Sequence, residues 1–351
     1  MKRRIAGAAL FGLGLLSLIV AAALAWVIVP AQKQVPYDLQ PPDVVVEASN
    51  ATFAQATTLP DGEVEVAVQQ GGLRNQTGIK PDYQAAADLT GDLAGKTLIW
   101  NVYQATDRVE DGSPVNRAES RIALDRVSGA AVPWSGQCHN DMKEVKTENV
   151  GCIPGNVNFT GQLYLFPFDT EKKTYQYWDS GLGAALPMGF AAEEEYNGLP
   201  TYRFQQDVPS QTMPMDAELV EGLLGFLAPG AHSGSVSYQA SRTIWVEPQT
   251  GAIIGYQEKQ HRELVPDVGT PVVLFDASFQ YDEKTKAAVL AEAEHGRNLL
   301  NMLGLYVPIG LAVLGLILVV LGVVVARRKP RGEEHQPAHA AEPEPTAVPH
   351  A

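Results

Sequence analysis

The chain has 351 residues, of which 45% are hydrophobic and 19% charged, so it is too apolar for a disordered polypeptide and long enough for two ordinary domains. Its formal net charge of −14 at pH 7 excludes the basic footprint of a nucleic-acid-binding protein. Much of the apolar content sits in two blocks, residues 5–29 and 305–326, that contain no Asp, Glu, Lys or Arg. About 20 apolar residues cross the roughly 30 Å of a bilayer core, so both blocks read as transmembrane helices and a soluble cytoplasmic enzyme is excluded.

Residues 1–4 carry Lys2, Arg3 and Arg4, and the second block is followed by Arg327, Arg328, Lys329 and Arg331. The positive-inside rule then puts both termini in the cytoplasm and residues 30–304 outside the inner membrane. A cleaved signal peptide is the competing reading of the first block, with small residues at Ala23-Leu24-Ala25. The apolar run is longer than a signal peptide needs, which favours an uncleaved anchor. After it, Pro30, Pro36, Pro41 and Pro42 read as an extended linker.

Strand signals begin at Glu63, where Val64, Val66 and Val68 alternate with other residues. Similar runs follow at residues 97–104, 121–125, 162–168, 174–178, 200–206, 243–247, 252–260 and 272–281. Many short strands between turn signals predict a mainly β fold, an antiparallel β-sandwich or a partly open barrel, between the two terminal helices. A weak internal repeat aligns residues 122–130 (IALDRVSGA) with 244–252 (IWVEPQTGA). Each copy has an acid, two spacers, Ser or Thr, and Gly in a hairpin turn. Two β-rich halves follow, roughly 43–158 and 159–282.

The two cysteines, Cys138 and Cys152, lie in a Gly/Pro/Asn-rich stretch that reads as loop. In an oxidising compartment they most simply form one disulfide. His139 and Asp141 nearby raise the alternative of a metal site, but the spacing and the lack of a second Cys/His pair disfavour it. Residues 181–192 (GLGAALPMGFAA) read as an apolar, Gly- and Pro-containing loop. Met215 to Leu227 places Leu219, Val220, Leu223, Leu224 and Leu227 at helical spacing before Pro229-Gly230 and predicts a short helix. Residues 283–304 favour a helix leading to the second span, and residues 327–351 read as a disordered cytoplasmic tail.

Catalytic signatures are missing: no GxSxG, HExxH, CxxC or phosphate loop accompanies His139, His232, His261 or His295. Glu193, Glu194 and Glu195 read as a solvated acidic run rather than paired catalytic carboxylates. Asn50, Asn75 and Asn158 match the glycosylation acceptor pattern, which matters only in a cell that glycosylates it. The expectation is a non-enzyme without cofactor or metal.

The basic N-terminus, the anchor ending in Val29-Pro30, residues 164–168 (YLFPF) and 175–179 (YQYWD), the Gly251 hairpin with residues 256–261 (YQEKQH), and the C-terminal anchor together resemble the actinobacterial family labelled the porin PorA family. The resemblance covers nearly the whole chain through packing and turn residues. It implies an inner-membrane-anchored envelope protein. In mycolic-acid bacteria it further implies association with polar growth and with trehalose monomycolate trafficking beside a lipid-exporter membrane protein. A strand-built pore is not expected, because outer-membrane barrels need lipid-facing apolar strands and these strands carry many charges.

The resulting expectation is a two-pass envelope protein whose exterior β domain binds an amphipathic membrane lipid or glycolipid, or scaffolds its trafficking. A channel component and a sensing domain are the alternatives. The candidate cleft-lining residues are Leu219, Leu223, Leu224, Phe226 and Leu227 on the short helix, with Leu186 and Phe190 in the Gly-rich segment. Helix and segment would act as a lid, since burying acyl chains yields about 0.8 kcal/mol per methylene.

Overall fold

A computed structural model describes residues 2–59, 61–142 and 152–327. Residues 28–303 form one compact unit and the two terminal stretches form another. The expected tail at 328–351, with Arg328, Lys329 and Arg331, lies outside the described residues.

The terminal unit pairs two apolar helices, α1 (Lys2–Ala23) and α6 (Val307–Arg327), near which the chain makes π-helical turns at Leu24–Ile28 and Met302–Tyr306. They meet along a seam of small residues. A Cβ added to Gly14 would lie 2.6 Å from the Gly315 carbonyl oxygen, and one added to Gly7 would lie 2.8 Å from that of Gly322. Gly14 and Gly7, seven residues apart, thus face Gly315 and Gly322 at the same spacing, the close backbone approach that membrane helices use when no hydrophobic force separates them from lipid. Ser17 Oγ donates to the Leu311 carbonyl at 2.8 Å. The other large side chains, such as Leu13, Leu16, Ile309 and Leu316, point outward and are exposed. Helices this long and apolar can span a membrane and make the protein membrane-associated.

Residues 28–303 begin with a short helix, α2 (Val29–Ala31), followed by strands β1 (Val44–Thr58) and β2 (Val64–Pro81). Next come helix α3 (Tyr83–Ala87) and strands β3 (Thr97–Arg108), β4 (Pro114–Asp125), β5 (Cys138–Met142), β6 (Tyr175–Asp179), β7 (Ala184–Tyr196) and β8 (Leu199–Thr212). Helix α4 (Ala217–Leu227), strands β9 (Gly234–Val246), β10 (Ile253–Pro266) and β11 (Val272–Tyr281), and helix α5 (Glu283–Asn301) complete the unit. All pairings are antiparallel within one sheet of order β5-β4-β3-β2-β1-β11-β10-β9-β8-β7-β6. The unit is mainly β, an 11-strand half-barrel, so the partly open barrel holds and the sandwich does not. Two meanders run outward, β1 to β5 and back from β11 to β6, and they join where β1 pairs with β11 through Val46 opposite Tyr281 and Phe53 opposite Phe275.

The two arms approach each other at one end through the connector between β5 and β6. Isolated bridges link Leu124 to Ala131, Ala131 to Gly161 and Gln162 to Tyr177. The connector's aromatic residues then fill the concave face. Phe159 meets Trp178 at 5.0 Å between ring centroids, and Tyr164 meets Trp100 at 6.4 Å. Phe166 stacks on Phe204 at 5.0 Å and touches Tyr175 edge-on at 5.1 Å. Leu98, Trp100, Ile122 and Leu124 close this end from one arm, and Met188, Ile244 and Val246 from the other.

The repeat residues form matching turns. Asp125 Oδ1 accepts from the backbone N–H and hydroxyl of Ser128, each at 2.7 Å, and Glu247 Oε2 accepts from those of Thr250, each at 2.8 Å. Gly129 and Gly251 have φ of 68° and 75°, a left-handed conformation that glycine adopts without strain. A Cβ on Gly251 would also strike the Phe166 carbonyl oxygen at 2.1 Å, so this turn clamps the connector.

Four sequence expectations need correction. Strands begin at Val44 rather than at Glu63: the Ala- and Thr-rich stretch of β1 shows no clean alternation because a bulge between Ala48 and Ala51 shifts its register. Residues 181–192, expected as a loop, contribute to β7, where Gly189 and Pro187 remain in the ladder beside short edge strand β6. Conversely, residues 162–168 form no strand and make the connector. Finally, Cys138 opens edge strand β5 rather than a loop, and it is disulfide-bonded to Cys152 as expected.

Candidate functional site

Antiparallel partners point to the same side of a sheet, so the register assigns side chains to faces. On β9, Val236, Tyr238, Ala240, Arg242, Ile244 and Val246 face inward and all are buried. Their partners on β10 are Leu264, Arg262, Gln260, Glu258 and Tyr256, and Arg262 in turn pairs with Phe275 on β11. The middle of the concave face is therefore polar, between the aromatic connector at one end and α4 at the other.

Arg242 is its centre. Its side chain is 3% exposed, with Nη1 2.6 Å from Asp179 Oδ2 and Nη2 2.5 Å from Glu258 Oε1. Nη1 also donates to Gln206 Oε1 at 2.7 Å, and Tyr238 donates its hydroxyl to Asp179 Oδ2 at 2.9 Å. Glu258 accepts from the Tyr256 hydroxyl at 2.7 Å and from Gln260 Nε2 at 2.8 Å, while Gln260 Oε1 accepts from Arg262 Nη2 at 2.9 Å. Four strands, β6, β8, β9 and β10, thus contribute to one polar chain running from Asp179 to Arg262.

Burial opposes the charge on Arg242, but Glu258, Tyr256 and Asp179 outweigh it and hold the guanidinium more firmly protonated than usual. Burial pushes the Tyr238 and Tyr256 hydroxyls well above the ordinary tyrosine range, so both remain neutral donors. Arg262 differs. Burial lowers its pKa despite Tyr238, Glu258, Asp179 and Asp141 around it, and its Nε is buried without a hydrogen-bond partner among the described residues.

The convex face is polar in another way. Gln239, Ser241, Lys259 and His261 line a shallow hollow of about 280 Å³ with Asp207, and a second of about 330 Å³ lies beside Thr243, Gln257 and Gln280. His261 there contacts Asp276 through Nδ1 at 2.7 Å and Glu263 through Nε2 at 3.1 Å.

The candidate cleft residues do not share one cluster. Leu223, Leu224 and Leu227 pack with Val236, Leu264 and Leu274 under α4, and Leu224 is 5% exposed. Leu186 belongs to the neighbouring cluster of Val208, Tyr238 and Ala240, which Met213 joins to the first. Phe190 lies in the aromatic cluster with Tyr202 and Phe204. Leu219 and Phe226 point away from the core and are 43% and 48% exposed. Cys138 and Cys152 form their disulfide, which removes Cys138 as a metal ligand beside His139; that histidine instead bonds Ser120 Oγ at 2.8 Å.

The sequence reading passed over Arg242, Asp179, Glu258 and Arg262. The signal was phase: Arg242 stands in step with Val236, Tyr238, Ile244 and Val246, a charge on the apolar side of an alternating strand. A charge in that position must be paired or neutralised, which marks a buried polar site.

Comparison with known proteins adds the family. A Porin PorA from Corynebacterium resistens is 26% identical over 306 residues, covering 69% of this chain and 73% of that protein. A Porin PorA from Corynebacterium amycolatum is 22% identical over 382 aligned positions, covering 92% of this chain and 98% of that protein. The Porin PorA family itself matches residues 6–324, from the first apolar helix to the last, and the chain belongs to that family.

Proposed function

We propose that the chain is a membrane-anchored channel component whose β unit offers hydrophilic solutes a polar path along its concave face. The observation that carries this reading is the charged chain Asp179–Arg242–Glu258–Gln260–Arg262, set where a purely structural half-barrel would bury apolar side chains. Replacing a buried ion network with apolar residues is often neutral or stabilising, so its presence inside the groove suits solute handling better than stability. The strands are not the membrane-crossing part. Arg117, Glu119 and Arg121 on β4 and Lys259 and His261 on β10 point to the convex face, which lipid would have to cover in an outer-membrane barrel. The apolar helices supply the anchor, with both termini cytoplasmic by the positive-inside rule.

Planar-bilayer recordings test this. The full chain should give discrete conductance steps, and a chain lacking residues 44–281 should lose them or change their ion selectivity. Silent full-length protein, or steps unaltered by the deletion, would sink the proposal.

A second reading, a site for an amphipathic lipid or glycolipid, is favoured by the exposure of Leu219 and Phe226 on α4 beside buried Leu224. In it, the outer side of α4 meets acyl chains and the protein works beside a lipid-exporting membrane partner. Lipids copurifying with the full chain, and their loss on Phe226→Ser, are its measure.

A further inference from the structure

The concave face carries a second feature that solute passage does not explain. Arg262 on β10 is paired in register with Phe275 on β11, and Phe275 with Phe53 on β1. The guanidinium of Arg262 lies over both the Phe275 ring, at 5.3 Å, and the Tyr238 ring, at 5.6 Å. One strand pair further on, the Arg108 guanidinium lies 5.9 Å over the Phe53 ring and donates to Gln69 Oε1. Two guanidiniums therefore flank an aromatic floor that continues into Phe279, Ala277 and Leu73.

Neither cation is well neutralised. Arg108 reaches carboxylates only at 3.9 Å (Glu110) and 4.0 Å (Asp111), and Arg262 is paired with no carboxylate among the described residues. The Nε–H of each is buried without a hydrogen-bond partner among the described residues. Arg242, two inward-facing residue pairs away, shows how this fold satisfies a structural arginine, with two carboxylates at 2.5 and 2.6 Å. Arg262, Phe275 and Phe279 are only half-buried among the described residues.

A guanidinium with no carboxylate in direct contact calls for an acidic oxyanion, for which its planar fork is matched. A half-exposed phenylalanine floor calls for an apolar body. We infer that the concave face between Arg262 and Arg108 binds an acidic amphiphile, its phosphate or carboxylate head on Arg262 and its apolar part along Phe275 and Phe279. The inference stands whether or not the groove conducts.

The test is calorimetric titration of the full chain in nanodiscs of neutral phosphatidylcholine, with inorganic phosphate, hexyl phosphate and the uncharged hexyl glucoside as probes. Hexyl phosphate should bind at least tenfold more tightly than either of the others, because only it uses both head and floor. Arg262→Gln should weaken hexyl phosphate at least tenfold, and Arg262→Lys should weaken it less. Because the variant removes a half-buried charge that has no carboxylate in direct contact, Arg262→Gln should melt no lower than the parent chain. No measurable binding to the parent, equal binding by parent and Arg262→Gln, or hexyl glucoside matching hexyl phosphate would each overturn the inference. Inorganic phosphate binding as tightly as hexyl phosphate would overturn the apolar floor.

Discussion

Arg242 tests how much a single buried charge depends on its partners. Asp179 is fully buried against it, so Asp179→Ala leaves the guanidinium with one carboxylate contact, Glu258, and should destabilise the β unit by about 3 kcal/mol, read from denaturant unfolding. A loss below about 1 kcal/mol would mean that water replaces the carboxylate and that the network is looser than its distances imply. Phase in β9 marks Arg242 as an inward residue, but nothing in one strand identifies its partners. Asp179 and Glu258 come from β6 and β10, and only the pairing of separate strands aligns them. His261 gives a pH signature instead. Burial works against its charge, yet hydrogen bonds to Asp276 and Glu263 prevail and raise its pKa above the ordinary imidazole value. A raised folded-state pKa contributes stability that is complete below about pH 6.5 and fades as pH climbs through the folded value. The melting temperature of the parent should show this step above pH 6.5, and His261→Gln should flatten it; an unchanged profile in the variant would assign the step elsewhere.

Among the elements, α4 separates two roles that its sequence mixes. Leu224 is in the core beneath the helix, so Leu224→Ser should cost roughly 2–5 kcal/mol by removing buried apolar contacts. Phe226 is half exposed, and Phe226→Ser should alter stability by less than about 1 kcal/mol. Thermal melts of both variants decide the point, and equal losses would mean that the outer side of α4 is also covered. The helix was legible because five large residues fell at helical spacing, and β3, β10 and β11 were legible through β-branched and aromatic runs. Strand β1 was not, since Ala48 and Ala51 are small residues chosen for close packing against Phe53 and Leu73, and alanine carries no strand signal. The same applies to β7, whose Gly189 and Pro187 are usual loop punctuation but here lie next to an edge where a missing side chain or N–H is tolerated. The connector misled in the opposite sense: its tyrosines and phenylalanines look like a strand because they fill a core, which needs bulk but no ladder.

At the scale of the terminal unit, the pairing of the two apolar helices rests on the glycine seam. Gly14→Val or Gly315→Val places a side chain within 2.6 to 2.8 Å of a facing carbonyl oxygen, too close for any Cβ, so the helix pair must separate. Spin labels at Ile5 and Val324, both outward-facing, should report a longer distance in either variant than in the parent, and an unchanged distance would show that the helices slide rather than part. Within the β unit, the pairing of the first strand with the last has a kinetic consequence. Phe53 and Phe275 are roughly 220 residues apart in sequence, yet they are direct neighbours at the centre of the sheet. During synthesis each meander can fold as its hairpins emerge, but β1 presents a bare row of amide and carbonyl groups until β11 has been made. Closing so long a loop is slow, and an uncovered strand edge is the feature through which unfinished chains stick to one another. Assembly of this protein is thus limited by its last strand, and a chain arrested before Val272 would hold two half-sheets, β1 to β5 and β6 to β10, whose most adhesive edges are the ones destined for the middle.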